Sequence, residues 1–399
     1  MTGKIFAAVI ALTSSVAFGQ PGATSQPGGS AGAALTLVQA IKNGTDGVEI
    51  KNHVGAVTAR GDFVYASIVY EGKIKIFKRD AATGKLTFVE DFLWGGEHDV
   101  IGQLAWANGM LYFFGGAGHW TGDGDSRGLH WCQADPKTGK LADKGKIAIP
   151  LGAGLAVSPD QKNLYLLLGK KHTVVRYQLD KAGQPVKADE AVFKEADSDV
   201  ASLLMSSDGK SLYAEWGQKD YSLGCVAVKD DGSMDYKGAT SLAKLTEGVD
   251  WPKGKWGYAW GRGLGISADG LFIYADFYNY GDKAGRTALY ARDPKTGEVA
   301  FKARMDDKSG SAMVCIKAYA FEPNGAVGYF ASGGESSGTT VGWFTRDPKT
   351  GLILDVQQVK TAGGGPDSLF LDSEHGYLYA GTWGSQTLYV LKIAAGGRL

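Results

Sequence analysis

Hydrophobic and polar positions alternate in short runs along most of this chain, and polar turns interrupt the runs. Residues 155–179 show the unit: a short apolar run, the turn Ser-Pro-Asp-Gln-Lys, the run Asn-Leu-Tyr-Leu-Leu-Leu, and the run Thr-Val-Val-Arg-Tyr-Gln-Leu. Runs of this length, rich in β-branched and aromatic residues and bounded by Gly, Pro and Asp, predict strands rather than helices. A further turn then leads to a fourth strand.

A tyrosine recurs at the same place in the second strand of each unit. These tyrosines are Tyr65, Tyr112, Tyr165, Tyr213, Tyr274, Tyr329 and Tyr379. Each follows a short polar turn such as Ser-Asp-Gly-Lys at 207–210. A period of about 50 residues, built from short strands and Gly/Asp turns, predicts an all-β fold of seven blades, a β-propeller.

A second turn follows the third strand of six units. It reads Asp-Pro-Lys-Thr-Gly at 135–139, 293–297 and 347–351, and recurs in degenerate form at 80–84, 180–183 and 230–232. Asp first, Pro second and Gly last predict a type I turn that closes on a left-handed glycine. The seventh unit lacks this turn, and an alternating run at 35–41 precedes the first unit. We therefore expect the N-terminal strand to complete blade seven and close the ring.

The composition and the motif content limit the partners and cofactors that the sequence predicts. Lys plus Arg and Asp plus Glu both number 42, so no basic excess indicates a nucleic-acid partner. The three cysteines, Cys132, Cys225 and Cys315, are an odd number, and the first two fall on the third strands of blades that do not touch. We expect three buried thiols. No nucleotide loop, zinc motif or cofactor motif is present, and we expect no metal or cofactor.

The N-terminus resembles an export signal. Lys4 precedes an apolar stretch at 5–12, and Ala-Phe-Gly at 17–19 forms a small-x-small cleavage site. The sequence predicts a signal peptide at 1–19, a flexible leader at 20–33 and the propeller at 34–399, in a secreted or periplasmic protein. No later run is long enough to span a membrane. We expect a monomer.

The upper face, formed by the connections between blades and by the loops between second and third strands, is expected to carry the site. Counting twelve residues back from each tyrosine predicts the start of each first strand at the channel mouth. That count gives His53, Val100, Ala153, Ala201, Arg262, Lys317 and Asp367. The charged or titratable positions come from blades five, six, seven and one, which are consecutive. The ends of the second strands add Glu215 and Asp276.

These residue types suggest roles. Arg262 and Lys317 could hold a carboxylate or phosphate. His53, Asp367 and Glu215 are candidates for moving protons, and Asp276 for contacting the substrate. The alternative is a set of channel charges that only neutralise one another.

Aromatic residues crowd the same face. Trp251, Trp256 and Trp260 lie in one long insertion that ends at Arg262, and Tyr278 follows in the next loop. His119 and Trp120 occur in a long loop of blade two, where Asp123 and Asp125 leave cation binding open. Aromatic planes beside polar groups suit sugar rings or aromatic ligands, although loop-to-loop packing could also explain them.

The unit Leu-Ala-Val-Ser-Pro-Asp-Gln-Lys-Asn-Leu-Tyr at 155–165, with Val-Val-Arg-Tyr-Gln-Leu-Asp at 174–180, resembles the seven-bladed propeller lactonases, a family that includes 6-phosphogluconolactonases and carboxymuconate cyclases. The resemblance covers roughly residues 35–393 and implies a metal-independent enzyme that uses a channel His, Arg and Glu on a lactone ring. At the matching positions this chain has Ala153 and Gly154 for the His, residues 199–202 for the Arg, and Gly217 for the Glu. The family's catalytic residues are thus out of register.

The sequence favours a secreted, lactonase-like hydrolase acting on a sugar lactone or uronate-type small molecule at the upper channel mouth. One alternative is a non-catalytic propeller that binds carbohydrate or protein. A polysaccharide lyase is a further alternative.

Overall fold

A computed structural model of the chain describes residues 35–96, 99–117, 128–149, 152, 154–198, 200–216, 222–245, 263–279, 284–305, 313, 316–332, 340–361, 365–382 and 384–394. Within these residues the strands form seven antiparallel sheets of four strands each. The sheets are the seven blades that the tyrosine period predicts, and the all-β propeller is confirmed. We label the strands of a blade A to D from the channel outward.

The strand bounds follow the repeat. Blade one contains Val54–Arg60, Phe63–Ile68, Lys73–Arg79 and Leu86–Leu93. Blade two contains Asp99–Ala107, Met110–Ala117, Gly128–Ala134 and Leu141–Ile147. Blade three contains Gly154–Val157, Asn163–Leu168, Thr173–Leu179 and Pro185–Val192. Blade four contains Ala201–Met205, Ser211–Trp216, Ser222–Val228 and Met234–Ser241.

The remaining blades continue the order. Blade five contains Leu264–Ile266, Phe272–Asn279, Ala284–Arg292 and Val299–Arg304. Blade six contains Ile316–Phe321, Val327–Ser332, Thr340–Arg346 and Ile353–Lys360. Blade seven takes Pro366–Asp372, Tyr377–Thr382 and Leu388–Ile393 from the C-terminal end. Short 3₁₀ turns occur at Thr45–Gly47 and Gly169–Lys171, and one helical turn at Leu242–Leu245. No helix in the described ranges has the length and apolarity needed to cross a membrane.

The N-terminal strand closes the ring. Leu35–Ile41 pairs antiparallel with Leu388–Ile393 and becomes strand D of blade seven, as the sequence predicts. Gln39 also ties this strand to blade one: its Nε2 donates to the Leu86 carbonyl at 3.2 Å, and its Oε1 accepts from the Leu86 N–H at 2.7 Å. Pairing of the two chain ends removes the exposed sheet edges that an open blade would leave.

The second turns have the predicted conformation. Gly139 closes the turn of blade two with φ 73°, in the left-handed region, and the equivalent glycines of the other five turns are also left-handed. Asp135 begins that turn, and its carboxylate accepts a hydrogen bond from the backbone N–H of Lys137 at 2.7 Å. The Asp and Gly positions therefore shape the turn by local chemistry.

The repeat tyrosines join neighbouring blades. In blades one to five, the hydroxyl donates to the carbonyl of the last glycine in the second turn of the next blade. The pairs are Tyr65–Gly139 at 3.0 Å, Tyr112–Gly183 at 2.6 Å, Tyr165–Gly232 at 3.1 Å, Tyr213–Gly297 at 2.7 Å and Tyr274–Gly351 at 2.6 Å. Burial raises the pKa of these hydroxyls, to about 12 for Tyr274, so they remain donors at neutral pH.

Buried arginines reinforce three of the blade boundaries. Arg292 donates from Nε to the Tyr213 hydroxyl at 2.9 Å and pairs with Asp208 of blade four at 3.1 Å. Arg79 and Arg346 make the equivalent ion pairs, to Asp372 and Asp269 of their preceding blades. Each apolar core cluster likewise contains residues of two adjacent blades. Blade-to-blade packing therefore fixes the channel around which the site is built.

Candidate functional site

The upper ends of the A strands carry β-bulges. In blade six the register against strand B shifts between Ile316 and Ala318, and in blade seven between Pro366 and Ser368. Lys317 and Asp367 thus occupy equivalent bulge positions in neighbouring blades. Blades one, two and four have similar shifts near the same height. Bulges re-aim side chains and are frequent beside active sites. Lys317 is half-buried at this position.

The strand pairing changes which residues are equivalent around the ring. Ala320 pairs with Tyr329, whereas Thr58 pairs with Tyr65, so the turn between strands A and B is two residues shorter in blade one. Blade two has the same short turn. In blades one and two, a count of twelve residues back from the tyrosine therefore reaches a position two residues too early in the sequence. Gly55 and Gly102, rather than His53 and Val100, match the height of Lys317.

His53 lies two residues before the position equivalent to Lys317, in the connection that enters strand A of blade one. Its carbonyl accepts from the Val69 N–H at 3.0 Å, and its half-buried ring meets the edge of Tyr70, with the ring centroids 6.4 Å apart. The preceding residues are held by Glu71, whose carboxylate accepts the N–H groups of Lys51 and Asn52. His53 is thus fixed at the upper end of blade one.

Glu215 is the penultimate residue of strand B of blade four and is 1% exposed. Its Oε1 accepts a hydrogen bond from Ser202 Oγ at 2.7 Å. Ser202 occupies the bulge of strand A in the same blade, with a left-handed φ of 45° that a non-glycine residue rarely adopts. Backbone strain of this kind is concentrated at functional sites. The hydrogen bond from Ser202 thus holds one carboxyl oxygen of Glu215 in place.

Asp276 lies on strand B of blade five and is 2% exposed. Its Oδ2 accepts the Ile316 N–H at 2.9 Å, which joins blade five to the bulge of blade six. Its buried Oδ1 has no hydrogen-bond partner among the described residues, and neither has the hydroxyl of Thr287, its pairing partner on strand C. Burial raises the pKa of Asp276 well above the ordinary carboxyl value, and the charge of Glu215 raises it further, whereas the Lys317 ammonium lowers it.

The structure therefore places Glu215 and Lys317, from the two neighbouring blades, each within electrostatic reach of Asp276. Both carboxyl groups are buried, but Glu215 accepts a hydroxyl hydrogen bond from Ser202, whereas Asp276 accepts a backbone N–H through Oδ2 and its Oδ1 has no partner among the described residues. Carboxyl groups with unequal environments can divide the roles of base and acid. The sequence indicated all three residues but not Ser202, whose left-handed conformation has no signal in the sequence.

Several predicted residues fall outside the described part of the chain. These are Arg262, Trp251, Trp256, Trp260, His119 and Trp120, together with Asp123 and Asp125. For Asp367 and Tyr278 only the backbone is described, in strand A of blade seven and strand B of blade five. Among the described residues, no group of three or more His, Cys, Asp and Glu side chains could hold a metal ion.

Two upper-face tryptophans within the described ranges pack against the propeller itself. Trp94 makes edge contacts with Phe113 and His130, with centroids 5.4 and 5.3 Å away. Trp216 is buried and lies 5.4 Å from Phe193. These two rings therefore belong to the packing of the blades.

Comparison with known proteins identifies the fold. The sequence matches no protein-family model and no curated protein. A structure from Bacteroides uniformis, assigned as a 6-phosphogluconolactonase, is 18% identical with a TM-score of 0.59, covering 76% of this chain and 88% of that one. The periplasmic gluconolactonase of Pseudomonas aeruginosa is 18% identical with a TM-score of 0.57, covering 78% and 86%. The hydrazine synthase of Kuenenia stuttgartiensis is 16% identical with a TM-score of 0.61, covering 88% and 98%.

The resemblance to the lactonase propellers is thus confirmed at the level of fold. At this identity, a shared propeller does not fix the reaction, because one fold carries many activities.

Proposed function

We propose that the protein is a lactonase-like hydrolase that acts at the upper channel mouth on a sugar lactone or a uronate-type small molecule. The observation that supports this proposal is the grouping of Glu215, Asp276 and Lys317 at the top of blades four, five and six. An ester bond in a ring requires a base for water, a charge that stabilises the developing oxyanion, and an acid for the leaving oxygen. In this group Glu215 would be the base, Lys317 the stabilising charge and Asp276 the acid.

In the proposed reaction, the half-buried Lys317 ammonium binds the lactone carbonyl or a neighbouring carboxylate. Glu215 takes a proton from the attacking water as the new carbon–oxygen bond forms. The ring carbon–oxygen bond then breaks, and the ring oxygen receives a proton from Asp276, whose raised pKa keeps it protonated. The product is the open hydroxy acid, and the next water and proton exchange restore both carboxyl groups.

The other predicted residues extend this site. Arg262 is proposed as a second cation for the anionic group of the substrate. His53 and Asp367 are proposed as further proton carriers on the side of blades one and seven. The aromatic insertion with Trp251, Trp256 and Trp260, together with Tyr278, His119 and Trp120, is proposed to cover the bound sugar ring.

The test is acid release from a panel of sugar lactones and uronides. Glu215→Gln and Lys317→Met should each lower kcat/KM by about a hundredfold or more. Glu322→Gln is the matched control, because Glu322 is also a buried glutamate but lies at the lower face, bonded to Tyr329. If both site variants keep wild-type turnover, the proposed roles are wrong.

The same panel distinguishes the alternatives. Absence of turnover on every lactone and uronide, with glycan binding abolished by Trp256→Ala, would favour a binding propeller. Release of unsaturated uronides from a polyuronate would instead identify a lyase.

We further propose that the protein is exported and monomeric. The P. aeruginosa neighbour is described as periplasmic, which is compatible with this location. N-terminal sequencing of the exported protein should begin at Gln20, and light scattering should give the mass of one chain. Recovery only from the cytoplasm with Met1 retained would contradict export.

A further inference from the structure

A cavity of about 400 Å³ lies at the lower end of the channel, opposite the proposed hydrolase site. The ends of the A strands and the following turns of blades one, two, three, four and seven form it. Its walls carry polar and apolar surface in about equal amounts, and the apolar part includes the buried side chains of Leu155, Met205 and Phe370. A volume of this size suits a small molecule.

Arg60 is held in place at the rim of this cavity. Its guanidinium lies over the Trp106 ring, 5.0 Å from the centroid. The turn glycine Gly109 packs beside it, since a Cβ at that position would lie 3.5 Å from Arg60 Nη2. Arg60 is exposed and makes no ion pair within the described ranges. A stacked guanidinium keeps its N–H donors available for a carboxylate.

The rim next to Arg60 is rigid. Asn108 and Gln161 both have left-handed backbone, with φ of 47° and 58°. Two hydrogen bonds lock them together across blades two and three: Asn108 N–H to Gln161 Oε1 at 2.8 Å, and Asn108 Nδ2 to the Gln161 carbonyl at 2.7 Å. Gln161 lines the cavity. A preformed rim lowers the entropy lost when a ligand binds.

The cavity also carries a negative charge, opposite in sign to that of Arg60. Glu374, in the turn of blade seven, lines the same space, is exposed, and makes no ion pair with the described residues. An arginine and a glutamate at a cavity whose wall is partly apolar complement a molecule that has a carboxylate, an ammonium and an apolar body. Among common small molecules, this is the chemistry of a free α-amino acid with a large apolar side chain.

We propose that the lower cavity is a binding site for such an amino acid. Arg60 binds the carboxylate through two N–H groups, Glu374 accepts hydrogen bonds from the ammonium, and the side chain packs against Leu155, Met205 and Phe370. This site lies at the opposite end of the channel from Lys317 and does not depend on the proposed hydrolase reaction.

Titration calorimetry with the full-length protein tests the proposal. L-leucine and L-phenylalanine are the probes, and 3-phenylpropionate and 2-phenylethylamine each retain only one of the two charges. The amino acids should bind, and each singly charged analogue should bind about tenfold more weakly or worse. Arg60→Gln and Glu374→Gln should each weaken amino-acid binding by a similar factor. Lys349→Gln, a charge change in an exposed turn of blade six, should have no effect.

Three results would overturn the proposal: no binding of either amino acid, unchanged affinity in both variants, or equal affinity for 3-phenylpropionate. Because the last comparison uses the wild-type protein, it decides the case even if Arg60→Gln fails to fold. Lactone turnover should be unchanged in Arg60→Gln, which separates this site from the hydrolase site.

Discussion

Tyr213 donates its hydroxyl hydrogen to the carbonyl of Gly297 at 2.7 Å, across the boundary between blades four and five. Four other repeat tyrosines make the same bond to the next blade. Tyr329 of blade six instead donates to Glu322 at 2.8 Å. The difference follows from ring closure: blade seven takes its fourth strand from the N-terminus and so has no second turn to offer a glycine carbonyl.

Tyr213→Phe should destabilise the protein by about 2–3 kcal/mol. The substitution leaves the Gly297 carbonyl with only the long contact from Cys225 Sγ at 3.6 Å, and it leaves the buried Arg292 Nε without its acceptor. Urea denaturation of the variant and the wild type measures the difference in the free energy of unfolding.

Tyr290→Phe is the matched control for this hydrogen bond between blades. Tyr290 is equally buried on strand C of blade five, but its hydroxyl bonds to none of the described residues. Its removal should be neutral or stabilising, because a buried unpaired hydroxyl costs free energy. Equal destabilisation by both substitutions would show that burial, rather than the inter-blade hydrogen bond, accounts for the stability that the repeat tyrosines provide.

Gln39→Ala should lower the free energy of unfolding by about 1–2 kcal/mol, because Gln39 makes two hydrogen bonds to Leu86 between the closing strand and blade one. Gln358→Ala, at an exposed site on the outer strand of blade six, should change it by less than about 0.5 kcal/mol. Thermal melts of the two variants provide the comparison. A Gln39→Ala variant as stable as the Gln358→Ala variant would mean that backbone pairing alone closes the ring.

Cys132 and Cys225 should not react with a thiol reagent at pH 8 in the native protein. Both are free thiols on the C strands of blades two and four, and burial raises the pKa of Cys132 to about 12 and of Cys225 to about 11. Cys132 is buried as predicted, Cys225 is half-buried, and Cys315 lies outside the described residues. A Cys315→Ser background isolates the two thiols. Rapid modification before denaturation would contradict the effect of burial.

The scaffold could be predicted from the sequence because its signals are local. Most turns are specified by their own Asp or Asn and Gly, and each tyrosine lies a short distance from a turn. The missing turn of blade seven even indicated which strand closes the ring. Residues close in sequence therefore determined blade number, strand order and closure.

The position of each site residue along the channel depends on how the strands pair. The count of twelve residues back from each tyrosine did not predict that position correctly in blades one and two. Asn108 and Gly109 form a two-residue hairpin turn, with φ of 47° and 85°, so blade two is shorter than the common unit. An Asn-Gly pair between two strands is the usual signal for such a turn, and it was present in the sequence. The strained bulge at Ser202 has no comparable signal, because it depends on how strand A meets strand B.

Asp276→Asn should stabilise the protein at neutral pH while lowering lactone hydrolysis. Burial raises the pKa of Asp276, so the folded protein keeps a proton that the unfolded chain releases above about pH 4. Because the folded state then binds more protons than the unfolded state, wild-type stability falls as pH rises from that value through the folded pKa. Asn cannot ionise, and its side-chain oxygen can still accept the Ile316 N–H. The stability gained by the variant should thus grow from pH 4 to pH 8.

Asp208→Asn is a control for which the effect on stability at neutral pH should have the opposite sign. Burial alone would raise the pKa of Asp208, but hydrogen bonds from Ser206, the Lys210 N–H and Arg292 outweigh it and lower the pKa. That carboxylate stabilises the fold above about pH 4, and its contribution is lost as pH falls through the lowered folded pKa. The Asn variant should therefore be less stable than the wild type at pH 7 and approach it in acid. Urea midpoints of both variants at about pH 2.5, pH 4 and pH 8 test the pair, because the Asp208 contribution is lost only below the unfolded carboxyl pKa of about 4. If Asp276→Asn shows the same trend as Asp208→Asn, Asp276 is ionised in the folded protein and cannot supply the proton to the leaving oxygen.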